Sequence, residues 1–363
     1  MTTKTSRVFN FSAGPAVLPL PVLEQIQQEM VSLPGVGSSV LEISHRSKDF
    51  DTIIEDADAR LRRVMNIPDD YEVLFLQGGA ALQNAMIPAN LITDPGQTAD
   101  YIVTGSWGKK SSGEVKHYGN LNVAFDGSES NFNKVPTQSE LNLTDSGAYV
   151  HLTSNETIQG LQYHELPDTA GVPIVVDQSS DVMCRPVDIS KYGMIYACAQ
   201  KNAGVAGVTL VIVRKDLIER SGDLPSYLSY AKHAGGGSRF NTPPTFAIYV
   251  TGLVCKWLEE EIGGLDAMEQ QNIAKSNMIY DIVDGSNGFY TGHADVKDRS
   301  IMNVVFRLPT PEQDADFIAK ATAAGLTTLK GHRSVGGIRA SLYNAMPVEG
   351  VEALANFMKD FAK

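Results

Sequence analysis

Cysteine is scarce in this chain of 363 residues: Cys184, Cys198 and Cys255 make an odd number at wide spacing. That excludes a disulfide framework and a cysteine-built metal knuckle, and it fits a reducing compartment, so a cytoplasmic location is expected. None of the seven histidines stands at metal-ligand spacing, and no metal is expected. No apolar run approaches the ~18–20 residues of a membrane span. The start, Met1-Thr2-Thr3-Lys4-Thr5-Ser6-Arg7, lacks the apolar core of an export signal. Basic residues are outnumbered 30 to 42, for a net charge of −12. A nucleic-acid partner wants a basic face and is not expected. A small anionic substrate is not excluded, because a pocket can be locally basic in an acidic protein. There is no G-x-S-x-G, no phosphate loop ending in Lys-Ser/Thr and no G-x-G-x-x-G. Serine hydrolase, nucleotide-triphosphatase and dinucleotide oxidoreductase chemistry therefore lack their signatures.

What is present is an ordinary globular composition, 43% hydrophobic and 20% charged. The length exceeds what one core usually supports, roughly 250–300 residues, so two domains are expected. Apolar periodicity predicts helices over 21–33 and 50–65. Short apolar strands then alternate with helical segments: strands over 73–76, 101–104, 149–153, 174–177, 194–198 and 208–213, with a helix over 80–91. This is the pattern of an α/β fold, a mostly parallel sheet with helices on both faces. A long helix over 245–261 ends at Gly263-Gly264, where the domain boundary is placed. The expected division is an N-terminal segment 1–16 packing with the small domain, a large domain 17–263 and a small α+β domain 264–363. In the latter, helices are expected over 265–283, 311–324 and 348–362, and strands over 302–306 and 337–342.

Lys201 is the most informative residue. It follows the apolar run Met194–Ala199, precedes the small-residue loop Asn202–Gly207, and a second apolar run, Val208–Val213, comes next. An amine held between two buried strands has its pKa lowered toward a neutral nucleophile. Twenty-four residues earlier the strand Ile174-Val175-Val176 ends in Asp177. A Schiff-base lysine plus an acid for a pyridinium nitrogen is the minimal protein kit for pyridoxal phosphate. An ordinary loop lysine is the bland alternative.

Other segments admit two readings each. Gly78-Gly79-Ala80-Ala81, between a strand and a helix, suits a phosphate through free backbone amides, or is a plain tight turn. Trp107 directly after a strand end can stack on a planar ring or belong to the core. Thr157, in Asn155-Glu156-Thr157, can contact a ring substituent or serve a turn. Asn241-Thr242-Pro243-Pro244 reads as a helix start. The run from Lys330 through His332, Arg333 and Gly336-Gly337 to Arg339 concentrates cations among glycines, as an anion site would. His45-Arg46 is a second basic dipeptide.

Taken together, these stretches resemble the phosphoserine aminotransferase family of fold-type-I, class V pyridoxal-phosphate enzymes. The resemblance is carried by Asn10–Ala16, Glu42–Ser47, Asn155–Ile158, Ala199–Asn202, Asn241–Phe246, Lys330–Arg333, Gly336–Ser341 and Tyr343–Met346, and it spans essentially the whole chain. It implies a seven-stranded large-domain sheet. It further implies that Lys201 binds the cofactor aldehyde and moves the proton, and that Asp177 pairs with the ring nitrogen. Trp107 would stack on the ring and Thr157 would bond near its phenolic oxygen. Ala80, Ala81 and Gln200 would hold the phosphate, joined by Asn241 and Thr242 of a second subunit in a homodimer. Ala13 would contact the substrate, Arg339 would grip its α-carboxylate, and His45, Arg46, His332 and Arg333 would hold its distal anion. Related sequences often carry Ser or Arg where Ala81 stands and Phe where Asn84 stands. The implied reaction is ping-pong transfer of an amino group between L-glutamate and 3-phosphohydroxypyruvate, with a phosphorylated four-carbon analogue from pyridoxine synthesis as a further substrate. Another fold-type-I aminotransferase, a desulfurase, a lyase or a regulator that only keeps the cofactor are the rivals. Cys198 on an apolar strand reads as structural, which disfavours a desulfurase.

Overall fold

The computed structural model describes residues 7–363; the expectations about the first six residues, the leader-free start and the beginning of the N-terminal segment, lie outside the described residues. The main sheet has seven strands: β1 (Tyr71–Leu76), β2 (Thr98–Val103), β3 (Asn120–Asp126), β4 (Val150–Thr153), β5 (Ile174–Asp177), β6 (Met194–Cys198) and β7 (Thr209–Arg214). Their order across the sheet is β1-β7-β6-β5-β4-β2-β3. All neighbours are parallel except β7, which runs antiparallel to both β1 and β6. Strands β4, β5 and β6 are buried at every position. This is why they are continuous apolar runs rather than alternating ones.

One edge strand, β3, has no counterpart among the sequence expectations. Its segment Asn120-Leu121-Asn122-Val123-Ala124-Phe125-Asp126 leaves Leu121 and Val123 exposed at 39% and 42%. With only Ala124 fully covered, the hydrophobic pattern that marks a strand is too thin to detect. The first helix also stops early, at Glu29 rather than 33. The Leu33 N–H bonds the Ser38 carbonyl instead, in a turn ahead of Pro34. The helix Thr245–Trp257 widens into a π-type turn, Leu258–Ile262, before Gly263 ends it.

Helices cover both faces. On one face lie Lys48–Met65 and Thr245–Trp257, packed on Phe75, Val150, Leu152, Val176, Ile195 and Ile212. The first of these shows why such helices form. Ser47 accepts the Phe50 N–H, Asp49 and Asp51 lie at the positive end, and Arg62 and Arg63 lie at the negative end. Phe50, Ile54, Ala57, Leu61 and Val64 form its buried stripe. The opposite face carries Gly79–Leu91 and Tyr230 on Tyr101, Val175, Tyr196 and Val211.

A separate core lies towards the C-terminus. A three-stranded antiparallel sheet, β8 (Thr291–Gly292), β9 (Asn303–Arg307) and β10 (Ile338–Ser341), is packed by helices Leu265–Gly285, Pro311–Ala323 and Val348–Phe361. Its centre is aromatic: Phe317 meets Tyr290, Phe306, Phe357 and Phe361 edge-on at 5.0–6.2 Å between centroids. The N-terminal segment joins this core. Phe11 is fully buried in it, and Phe9-Asn10 pairs in parallel with Leu326-Thr327. Among the described residues, no helix is long and apolar enough to cross a membrane.

Candidate active site

The carboxyl ends of β5 and β6, with the segments that follow β2 and β4, open into a cavity of about 560 Å³ that also takes walls from the C-terminal core. Strand β6 passes directly into the four-residue helix Ala199–Asn202, which places Lys201 one turn beyond the strand end. The Lys201 ammonium donates to Thr157 Oγ1 at 2.8 Å and stands 5.4 Å from the Trp107 ring centre. Burial lowers its pKa; the charge of Asp177 acts in the opposite sense, and Arg339 adds to the lowering.

Asp177 is the last residue of β5 and only 7% exposed. Its Oδ1 accepts the Ser179 N–H at 2.8 Å. Burial raises its pKa, while Lys201, Ser179 and the Tyr196 hydroxyl work to lower it. Strand register sets Thr153 and Tyr196 beside it on the same side of the sheet. Behind it lies a buried aromatic stack. His151 lies 4.6 Å from Tyr101, nearly parallel to it, with Nε2 2.9 Å from the Tyr196 hydroxyl.

Trp107 forms one wall, on the short helix Ser106–Ser111 after β2. Its backbone N–H and that of Gly108 both bond to Glu156, at 3.1 and 2.8 Å. Glu156 is fully buried; desolvation raises its carboxyl to about 7 against the pull of these two amides. Ala80 lines the cavity at the start of helix Gly79–Leu91, where Gly78 has φ +86 and supplies no side-chain cap. The Ala80 N–H donates to Cys198 Sγ at 3.1 Å. Cys198 is therefore a cavity-wall residue as well as a strand residue, which the sequence reading did not foresee. Gln200 also lines the cavity.

From the other core come Ala13, His332, Arg333 and Arg339. Arg339 sits on β10 opposite Val305 of β9, and its N–H donates to the Leu329 carbonyl. Burial presses its pKa down. The loop carrying His332 and Arg333 folds tightly back on itself: Gly331 N–H bonds Gly337 O, and Gly336 N–H bonds His332 O. A methyl group at Gly331 would fall 2.0 Å from the Gly336 carbonyl oxygen, so only glycine permits this return. Burial and the two neighbouring arginines lower the His332 pKa.

Five of the expected residues do not reach this cavity. Ala81 is exposed on the outer side of its helix start. His45, Arg46, Asn241 and Thr242 lie outside the cavity lining, with Arg46 and Thr242 exposed. Conversely, Lys110, Ser106, Ser179 and Glu156 belong to the site or its support and were not singled out from sequence. Lys110 brings a further ammonium 5.5 Å from the Trp107 ring.

The chain matches the family model described as aminotransferase class-V over residues 8–354. It is 54% identical over 358 residues to a phosphoserine aminotransferase of Rhodopirellula baltica, covering 98% of this chain and 95% of that protein. The chain belongs to the class-V aminotransferases, among the phosphoserine aminotransferases. The solved structure of phosphoserine aminotransferase from Bacillus circulans subsp. alkalophilus superposes with a TM-score of 0.96 at 47% identity, covering 99% of each chain. A phosphoserine aminotransferase of Trichomonas vaginalis, solved with pyridoxal phosphate bound, gives 0.92 at 40% identity, covering 97% of this chain and 100% of that one. Pyridoxal phosphate is the cofactor of this family, and the residues here fit it. The cavity offers a planar wall, a buried amine and a strand-end carboxyl beside the start of the helix Gly79–Leu91. Two buried polar atoms near it, Trp107 Nε1 and Thr153 Oγ1, have no partner among the described residues.

Proposed function

We propose that this aminotransferase moves an amino group from L-glutamate to 3-phosphohydroxypyruvate, forming 2-oxoglutarate and O-phospho-L-serine, in the cytoplasm and as a homodimer. The observation that carries this reading is the meeting of Lys201 and Asp177 with Arg339, Arg333 and His332 in one cavity. Both amino acids carry an α-carboxylate and a distal anion, so one set of guanidinium forks can serve each in turn.

In this reading Lys201 holds the cofactor and, once released, its ε-amine takes and returns the proton at the substrate α-carbon. Its lowered pKa favours the neutral amine that the task needs. The cofactor, when bound, supplies the electron sink. Asp177 holds a proton at the ring nitrogen, Trp107 covers one ring face and Thr157 bonds near the ring oxygen. Ala80 and Gln200 face the phosphate. Arg339 grips the α-carboxylate, Ala13 lines the same cavity, and His332 and Arg333 hold the distal anion.

A second copy completes the site. His45, Arg46, Asn241 and Thr242 carry anion-binding groups yet line no part of their own chain's cavity. Leu41, Tyr227 and Phe240, near them in the chain, are exposed at 61%, 37% and 42%. A covered interface would account for both.

The test is an assay with glutamate as donor, comparing 3-phosphohydroxypyruvate, its phosphorylated four-carbon analogue and an unphosphorylated keto acid. Lys201→Ala should abolish turnover of all three while leaving the far-UV spectrum unchanged. Full transamination by that variant would reject the reading. A preference for the unphosphorylated acid would instead favour another aminotransferase of small anionic amino acids.

A further inference from the structure

We propose that Glu156 is the positioning residue for Trp107, its carboxylate acting as the cap of the short helix that carries the ring-facing wall of the site. This rests on the reading of Trp107 given above and names the residue through which that wall is held. The helix Ser106–Ser111 begins after Gly105, which has no side chain to accept the first free amides. Glu156 supplies the missing acceptor from another element: Oε2 takes the Trp107 N–H and Oε1 takes the Gly108 N–H. Gly105 is what admits it. A methyl group there would stand 2.3 Å from the Glu156 carboxyl carbon and 2.5 Å from Oε2. No other residue type at 105 is compatible with the carboxylate in this place.

Glu156 is itself anchored. It pairs with Leu161 in a two-residue hairpin, and its carbonyl accepts the Gly160 N–H at 2.8 Å. Gln159 in the same hairpin bonds the Ser106 hydroxyl at 2.9 Å. The next residue, Thr157, receives the Lys201 ammonium. One dipeptide thus sets the distance between the amine and the aromatic wall. Loss of the carboxylate would leave two buried amides without an acceptor and free the wall to tilt.

The experiment uses the Trp257→Phe background, in which Trp107 is the only tryptophan of the chain. Glu156→Ala and Glu156→Gln are compared with it. In cofactor-free protein, acrylamide quenching of Trp107 should rise strongly in the alanine variant. It should rise less in the glutamine variant, which keeps one acceptor oxygen but sets a donor NH2 where the second oxygen stood. In the loaded protein, the visible circular dichroism of the cofactor should weaken in the same order. kcat should fall about tenfold for alanine with the KM for glutamate little changed. If both variants fold and leave quenching and visible dichroism at the parent values, the proposal is overturned. Should the alanine variant fail to fold, the glutamine variant decides alone. The cofactor-free quenching is independent of the reaction assigned above, so the two readings fail separately.

Discussion

His151 should make the protein acid-sensitive by an amount that can be worked out. It is fully buried behind Asp177, stacked on Tyr101, and desolvation alone lowers its pKa to about 3. In the unfolded chain the same imidazole titrates near ~6.5. Between these values the unfolded state binds the proton and the native state does not, so stability rises with pH across the window and is lost on acidification. At pH 5 the difference amounts to about 2 kcal/mol relative to pH 7. Glu156 and Asp181 oppose it. Burial raises them to about 7 and about 6, so the native state binds their protons more tightly and gains stability as the pH falls. The total profile therefore mixes signs, and the clean quantity is a difference between variants. His151→Gln removes the titration while keeping a donor toward the Tyr196 hydroxyl. Urea unfolding at pH 7 and pH 5, at one protein concentration, should show the stability gap between parent and variant closing by about 2 kcal/mol. A gap constant to within about 0.5 kcal/mol would show that the imidazole is not held neutral by burial.

Three further outcomes are expected. Asp177→Ala should still bind cofactor but slow both half-reactions severely, read by single-turnover absorbance; unchanged rates would remove its role at the ring nitrogen. Arg333→Ala should weaken the phosphorylated keto acid more than an alanine-like substrate, and equal losses in kcat/KM would place the distal anion elsewhere. Phe317→Ala, at the centre of the aromatic cluster, should cost about 3–5 kcal/mol in denaturant unfolding, and a loss below about 1 kcal/mol would mean that this core collapses readily around the gap.

Much of the fold was legible because the inner strands are buried on both sides. The runs ending at Asp177 and Cys198 match their strands to the residue. The edge strand β3 was not, because solvent contact at Leu121 and Val123 removes the constraint that writes a pattern. In the site, Lys201 and Asp177 declare themselves by sitting where apolar strands stop. Glu156 does not. Between an asparagine and a threonine it looks like turn chemistry, and only the buried amides of a segment fifty residues away give it meaning. The one available signal was Gly105, a glycine directly after a strand whose reason lies in the carboxylate opposite. Cys198 was legible as a strand residue but not as a partner of Ala80, since that pairing depends on how β1 and β6 flank β7. His45, Arg46, Asn241 and Thr242 share a motif resemblance but do not line the Lys201 cavity, and in the proposed homodimer their place would depend on a second copy, which no periodicity within one chain encodes.

The electrostatics of the cavity explain why it tolerates so many cations in a chain of net charge −12. Lys110, Lys201, Arg333 and Arg339 line it with His332, and Asp177 is the only carboxylate among the lining residues. Burial weakens protonation of Lys201 and Arg339, and Arg339 lowers Lys201 further. Each of these shifts has its cause in holding positive charge in a poorly solvated space, and an anion placed among the cations acts against all of them. Ligands with two or more negative charges should therefore favour the protonated form of Lys201, and stabilise the fold by mass action according to their concentration and affinity. Thermal unfolding with inorganic phosphate, glutamate and O-phospho-L-serine at equal ionic strength orders the ligands. On the proposed roles of Arg339 and Arg333, the phosphoamino acid should raise the midpoint most, because of the three it alone would bring a carboxylate to one and a dianion to the other at once. Equal shifts for phosphate and phosphoserine would mean that the two arginines do not act on one molecule.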